Sequence, residues 1–456
     1  MEKRWIRSWD SHRRDESIFL VLLLLFGLGF LMRNAHLQLA SDDIGWLRGE
    51  APTVFDQYRY VPRLFFVSLH GLFGPNTIVA LVMIFSFHFA NSLLVSHLCQ
   101  KLLNSQVAAR VAAIVFMVNP LTLSTLTWIS CFSYVLGTSL ALVSLLAAWK
   151  GSVVEEARGR PLWWSMALAC YAAGLFCSHE LLFLPVIFIL FAWPQGEPAR
   201  SWGTASFVLA MACALLVNSY VYDFGRYGIE THRLFSPGFI SALTSSALSS
   251  GLSLGVAYTL SFFVKPQDFL RICFSQPLRW GMTVTLLTGG VLSYRPTKTW
   301  RARLVLTLSF VALITPYIIR LYLMSDNVNY HISYVLSGRV FYLPFVVIAL
   351  IWGETVARLY GVCAKEHTFS QAAWLLPVLS VAAYVHALFL YDRRDSMGLA
   401  VLQGSSQQLP PPWNPYAHDQ PAWSIGSALI IVAVVAVRFV IEKLKERGAK
   451  HEKSSP

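Results

Sequence analysis

Apolar runs of about 17 to 25 residues, the helix length needed to cross the hydrocarbon of a bilayer, recur along this chain between residues 17 and 441. They lie at roughly 17–36, 76–98, 107–118, 132–149, 162–178, 181–193, 203–222, 278–294, 304–324, 340–357, 372–391 and 425–441, a few of them shorter than a full crossing. In lipid each backbone N–H and C=O must be satisfied within its own segment, which makes the helix the conformation for such runs. The expected fold is an all-α integral membrane protein with about twelve transmembrane helices, eleven to thirteen once soft boundaries are allowed. Composition agrees. Of 456 residues, 55% are hydrophobic and only 13% charged, about half the charged content of a soluble domain.

Lys and Arg orient the runs. With the N-terminus in the cytoplasm, about 21 of these residues fall in cytoplasmic segments and about 11 in external ones, the asymmetry that insertion favours. The strongest inside markers are Lys3, Arg4, Arg7, Arg13 and Arg14, the loop "YRPTKTWRAR" and the tail "EKLKERGAKHEK", so both termini are expected to be cytoplasmic. A basic cluster before an apolar run also starts a signal peptide, but "LMRNAHLQLA" is a poor cleavage site and more membrane segments follow. The run is read as a retained first span. The serine-rich run 239–264 is long enough to span, yet counting it would put the basic loop 295–303 outside. It is read as a helix at the outer surface within one long external segment, 223–277.

The net charge of +12 forms no basic patch with interleaved aromatics, which argues against nucleic acid as a partner. Seven cysteines (Cys99, Cys131, Cys170, Cys177, Cys213, Cys273 and Cys363) fall mostly inside apolar runs without metal-ligand spacing and read as small packing residues. No solenoid or inverted repeat is visible.

Against this background two adjacent acids stand out. The stretch "LQLASDDIGWLRGE" places Asp42 and Asp43 just beyond the first run, on the external side. Taken alone, the pair reads first as solvated loop acids beside a turn. The functional reading is a carboxylate at the headgroup level, where a lipid-linked substrate presents its reactive head. Other charged residues fall at that level: Asp56, Arg59 and Arg63 in "FDQYRYVPRLFF", His179 and Glu180 at the outer junction of the fifth and sixth runs, and Arg339 at the outer start of the tenth. The planar fork of Arg suits a phosphate, although snorkelling to headgroups also explains each basic residue singly. In "FHFANSLLVSH", His88 and Asn91 lie three apart on one helical face and read as an interhelical hydrogen-bonding pair.

The order of "SDD" after the first run, "YRYVPRLFF…LFGPNTIVALVMIFSFHFANSLLVSHL", "FMVNPLTLSTLTWISCFSYVLGTSLALVSLLA", "CSHELLFLPVIFIL" and "SGRVFYLPFVVIAL" resembles the membrane half of the GT-C superfamily of glycosyltransferases. It is most similar to the tetratricopeptide-bearing transmembrane O-mannosyltransferases and their bacterial relatives, over about residues 17–357. The resemblance implies transfer of a sugar from a polyprenyl-phosphate-linked donor on the external face, with an acid of the first external loop as base. Carried over by position, Asp42 is the base and Asp43 its neighbour, and Arg339, in the stretch similar to the family's Arg, then Tyr-Leu-Pro motif, holds the lipid phosphate. Arg59, Arg63, His179 and Glu180 complete the expected substrate-binding set. The chain departs from its closest relatives in carrying His179-Glu180 where they have Lys-Glu, and no tetratricopeptide region follows. The acceptor, whether glycan, lipid or protein, therefore stays open.

On this reading residues 1–16 are a basic cytoplasmic N-terminus, and 17–357 a GT-C-like transmembrane catalytic module with external loops 37–75 and 223–277. Residues 358–441 hold C-terminal transmembrane helices with an external loop 392–424, and 442–456 a basic cytoplasmic tail. The chemistry is consistent. A lipid phosphate is a good leaving group, so a general acid is not essential, while the acceptor hydroxyl needs a base, which a carboxylate supplies. Arg stabilises the charge developing on the phosphate. One in-line displacement inverts the anomeric carbon. A divalent cation beside the acids is left open, because no ligand set in the sequence assigns one.

A lipid-linked glycan polymerase or ligase would share the span count, but should depend on external Arg and His more than on a first-loop acid. A transporter should carry broken helices and mid-bilayer charges, whereas the charges here cluster at the ends of runs. External loops carry no N-x-[ST] site and no lumenal retention signal is seen, which points to a bacterial cytoplasmic membrane and a cell-envelope glycan.

Overall fold

The computed structural model describes residues 41–50, 59–119, 128–153, 159–178, 184–192 and 341–363, with scattered positions between 17 and 31, 122 and 126, and 305 and 313, and Leu181. Among these described residues there are helices and no strands. In chain order the helices are α1 (Phe19–Gly29), α2 (Ser41–Leu47), α3 (Tyr60–Phe73), α4 (Thr77–Leu103), α5 (Gln106–Val118), α6 (Phe132–Val153), α7 (Gly159–Leu175), α8 (Leu184–Ala192) and α9 (Tyr342–Cys363). A 3-10 turn, Ile129–Cys131, leads directly into α6. The runs expected at 203–222, 278–294, 372–391 and 425–441, the segment 223–277 and both termini lie outside the described residues.

Among the described residues two helices are long and apolar enough to cross a membrane: α4 and the continuous helix Ile129–Ser152 that includes most of α6. At 1.5 Å per residue they extend about 40 Å and about 36 Å. By contrast α5 and α8, with 13 and 9 residues, reach only about 20 Å and about 14 Å, short of a hydrocarbon core of about 30 Å. The stop of α5 is local. Pro120 follows Asn119, and a residue before proline is pushed out of the helical region; Asn119 is extended, with φ −66° and ψ 130°.

Polar residues punctuate the apolar sequence. Asn104 takes a left-handed φ of 48° at the end of α4 and its amide donates to the Gln100 carbonyl at 2.9 Å. Ser105 then accepts from the Ala108 amide at 3.3 Å and starts α5. At the other end of α4 the Asn76 side chain accepts from the amides of Ile78 and Val79, at 3.0 and 3.2 Å. The segment 37–75, expected as a loop, contains α2 and α3.

Close backbone approach organises the packing. On α6, Ser144 and Gly151, seven residues apart, face α7: a Cβ on Gly151 would lie 3.1 Å from the Trp164 ring, and Ser144 Oγ donates to the Ala167 carbonyl at 2.8 Å, while Gly137, seven residues earlier, packs on Cys177 and Ser178 just past the end of α7. The matching face of α7 is Trp164, Ala167, Tyr171 and Gly174, all four buried. Trp164 also meets Phe188 of α8 edge-on at 5.3 Å. Helices α4 and α6 run parallel, because Phe87 meets Phe132 edge-on at 5.3 Å while Asn91, one turn further, bonds the Val135 carbonyl. Helices α5 and α9 run antiparallel: Phe116 meets Tyr342 at 5.2 Å, and Gly353 packs on the Ala108 carbonyl and Ala112. On α1, Leu20, Leu24 and Leu28 are exposed four apart while Leu23 and Phe26 are buried, the outward stripe that suits an apolar solvent.

Two glycines test this packing in opposite senses. A methyl at Gly353 would run into the backbone carbonyl of Ala108, so Gly353→Ala should cost about 1–3 kcal/mol. Gly71 in α3 has nothing within 4 Å of its Cβ position, so Gly71→Ala should gain about 0.5–1 kcal/mol from helix propensity. Unfolding of the purified protein in one detergent checks both.

Candidate functional site

The acid pair occupies a helix. Residues 41–47 form α2, and the helix ends in a Schellman turn: the Glu50 amide donates to the Gly45 carbonyl at 3.2 Å and the Gly49 amide to Trp46 at 3.1 Å. Gly49 supplies the left-handed φ of 65° that this turn requires. Helix α3 closes the end of α2 from the side, because His70 Nδ1 donates to the Leu47 carbonyl at 2.9 Å. Facing a carbonyl, that nitrogen must carry the proton.

Asp43 lies within the protein with no exposed surface. Its carboxylate accepts from the backbone amide of Ser130 at 2.9 Å. Ser130 sits in the 3-10 turn that opens α6, where backbone amides lack helical partners and the helix dipole is positive, so a carboxylate is favoured there on both counts. One turn along α2, Trp46 is buried and meets Phe66 of α3 edge-on at 5.3 Å. Phe66 in turn meets Phe132 at 5.7 Å, and Phe65 and Phe87 also close on that ring, at 5.9 and 5.3 Å. An aromatic cluster thus joins α2, α3, α4 and α6 beneath the acid pair.

Of the expected site residues, Asp42 has its backbone in the first turn of α2. Arg59 stands half-buried at the start of α3. The Arg63 guanidinium, also half-buried, lies 5.6 Å over the Trp46 ring, a cation–π contact. Asp43 and Arg63 therefore lie on helices that contact each other, with Arg63 over the Trp46 ring one turn along α2 from Asp43. His179, Glu180 and Arg339 lie outside the described residues. The described residues hold no group of three or more His, Cys, Asp or Glu arranged for a metal ion, and Cys99, Cys131, Cys170 and Cys177 are not joined in disulfides.

Near the same end of the bundle a second polar cluster joins four helices. His88 Nε2 faces the Met117 carbonyl at 3.1 Å and must donate, which leaves Nδ1 to accept from the Tyr342 hydroxyl at 2.5 Å. Asn91 Nδ2 donates to the Val135 carbonyl at 3.0 Å and to the Tyr342 hydroxyl at 3.4 Å. The spacing of His88 and Asn91 does predict interhelical bonding. What it does not reveal is the partner: Tyr342, 254 positions from His88, is the tyrosine of "SGRVFYLP". Glu354 of α9 is a second residue that no sequence pattern singles out, an acid only 5% exposed within a helix.

No protein-family model matches the chain, and no curated protein or solved structure matches it at a significant level.

Tyr342→Phe removes the hydroxyl that both His88 and Asn91 use. The loss should cost about 1–3 kcal/mol through unsatisfied buried groups, read as a lower unfolding midpoint in detergent. With His88 already replaced by Ala the same change should cost less, because the shared hydrogen bond is gone.

Proposed function

We propose that the chain is a multi-pass membrane glycosyltransferase that moves a sugar from a polyprenyl-phosphate-linked donor to a glycan, lipid or protein acceptor on the external face of a bacterial cytoplasmic membrane. Asp42 is the base and Arg339 holds the donor phosphate. The observation that carries this reading is the placement of the acid-bearing helix α2. It is bound to the N-terminal end of a helix long enough to cross a membrane, rather than free in a loop.

The ends of the bundle support the orientation. Lys101, Arg110, Lys150 and Arg160 belong to the end where α4 turns into α5 and α6 into α7. There Lys150 stacks on Trp163 at 4.0 Å and Arg110 lies 6.0 Å over Phe19, the aromatic and basic anchoring typical of a cytoplasmic interface. Asp43 and the start of α3 belong to the opposite end, where the Val61 amide meets the Phe176 carbonyl. A substrate whose tail lies in lipid presents its phosphate and sugar at that level.

In the reaction Asp42 takes the proton of the acceptor hydroxyl as its oxygen attacks the anomeric carbon. The bond to the lipid phosphate breaks in the same step, and the departing phosphate is stabilised by Arg339, with Arg59 or Arg63 assisting. The configuration inverts. A transporter reading finds little support in His88. Both of its ring nitrogens are committed to fixed partners on α5 and α9.

Purified protein is incubated with radiolabelled polyprenyl-phosphate sugars and membrane extract, and label is followed into glycan, lipid and protein. Asp42→Asn should fold normally and lower transfer by about 10²- to 10⁴-fold, the range for loss of a general base. A fully active Asp42→Asn protein would remove Asp42 from this role. No transfer by the wild type from any monophosphate donor would favour the polymerase or ligase reading.

A further inference from the structure

Asp43 and Asp42 are neighbours in sequence, yet consecutive positions of a helix are turned about 100° from one another. They therefore sit on different faces of α2. Position 43 faces α6, with its carboxylate on the Ser130 amide and no surface open to solvent. A group so enclosed cannot take a proton from an acceptor hydroxyl arriving from outside. Its charge meets the first turn of α6 instead.

We infer that Asp43 is a positioning residue: by binding the Ser130 amide it sets the rotation of α2 on the end of α6, and so sets where position 42 is presented. The rest of α2 is compatible with a single rotation. Trp46, on the same face as Asp43, is locked edge-on against Phe66, and the far end is tied by His70 to the Leu47 carbonyl. Those two contacts control tilt and distance. Asp43 is the only one of the three near the N-terminal end of α2, where position 42 lies. What Asp42 does once presented rests on the glycosyltransferase reading; the positioning itself does not.

The amide needs an acceptor oxygen, which Asn retains and Ala does not. Two readouts separate the possibilities. In an Asp42→Cys protein, thiol modification by a membrane-impermeant maleimide reports how position 42 is presented, without any activity. Adding Asp43→Asn should leave the rate within about twofold, because the hydrogen bond persists, while adding Asp43→Ala should change it by about tenfold or more as α2 turns or frays. In the transfer assay, Asp43→Asn should retain at least about half of the wild-type kcat. Asp43→Ala should lower kcat by about a hundredfold, the scale of a misplaced catalytic group, with the donor KM little changed.

If Asp43→Ala leaves both the labelling rate and kcat at their reference values, the positioning role is overturned. If Asp43→Asn is as inactive as Asp43→Ala while labelling is unchanged, Asp43 acts through its charge and the inference is again overturned. Should Asp43→Ala unfold the protein, the Asp43→Asn arm carries the test: labelling and kcat near their reference values support positioning through the retained hydrogen bond, and lost transfer with unchanged labelling overturns it. A result in which labelling responds as expected but Asp42→Asn transfers normally would sink the base assignment and leave the positioning of α2 intact.

Discussion

Close approach between helix backbones is the constraint on which the arrangement of this protein rests. In an apolar surrounding, helices gain nothing by hiding apolar surface from water and must be held by dispersion contacts and hydrogen bonds across their seams. Small residues make that contact intimate. Ser144 and Gly151 let α6 meet α7, Gly137 admits the turn that follows α7 at Cys177 and Ser178, and Gly353 lets α9 lie on the backbone of α5 at Ala108. Where the seam is close enough a hydroxyl reaches the opposite backbone, as Ser144 does to the Ala167 carbonyl.

Once those seams are closed, polar side chains can act at long range in sequence. Tyr342 reaches His88 and Asn91 because α9 lies against α5 and α4. The chain of donors is self-consistent: Asn91 gives to Tyr342, Tyr342 to His88, and His88 to the Met117 carbonyl. The donors of this cluster are thereby used to specify which helices touch and in which register, while the buried Asn91 Oδ1 accepts no hydrogen bond from the described residues. The Asp43 contact works by the same logic at the end of α6. There an acid that composition would leave in solvent satisfies a backbone amide instead.

Much of this is visible in the sequence, and the exceptions have causes. The apolar runs at 76–98, 107–118, 132–149, 162–178 and 340–357 correspond to α4, α5, α6, α7 and α9, with ends displaced by a few residues. The caps are legible in retrospect: Asn76 and Asn104-Ser105 stand where a polar side chain or a left-handed residue is needed. Helices α2 and α3 are harder to see, since α2 has only seven residues and is helical because it docks; so short a helix is not stable alone. The site is less legible than the fold. Asp42 and Asp43 look chemically alike in "ASDDIGW", and the local pattern does not reveal that the second is buried on the backbone of α6.

The sequence by itself determined that the described chain is helical, where its polar caps interrupt the apolar runs, and that His88 and Asn91 share a face, because these follow from spacing and local backbone chemistry. The tertiary structure alone decided that Asp43 belongs to the start of α6, that Tyr342 belongs to His88, and that Arg63 lies over Trp46. Those pairings join residues 87 and 254 positions apart, or two successive helices. No local pattern encodes them. They arise only when the small-residue seams bring particular helix ends within hydrogen-bonding reach of one another.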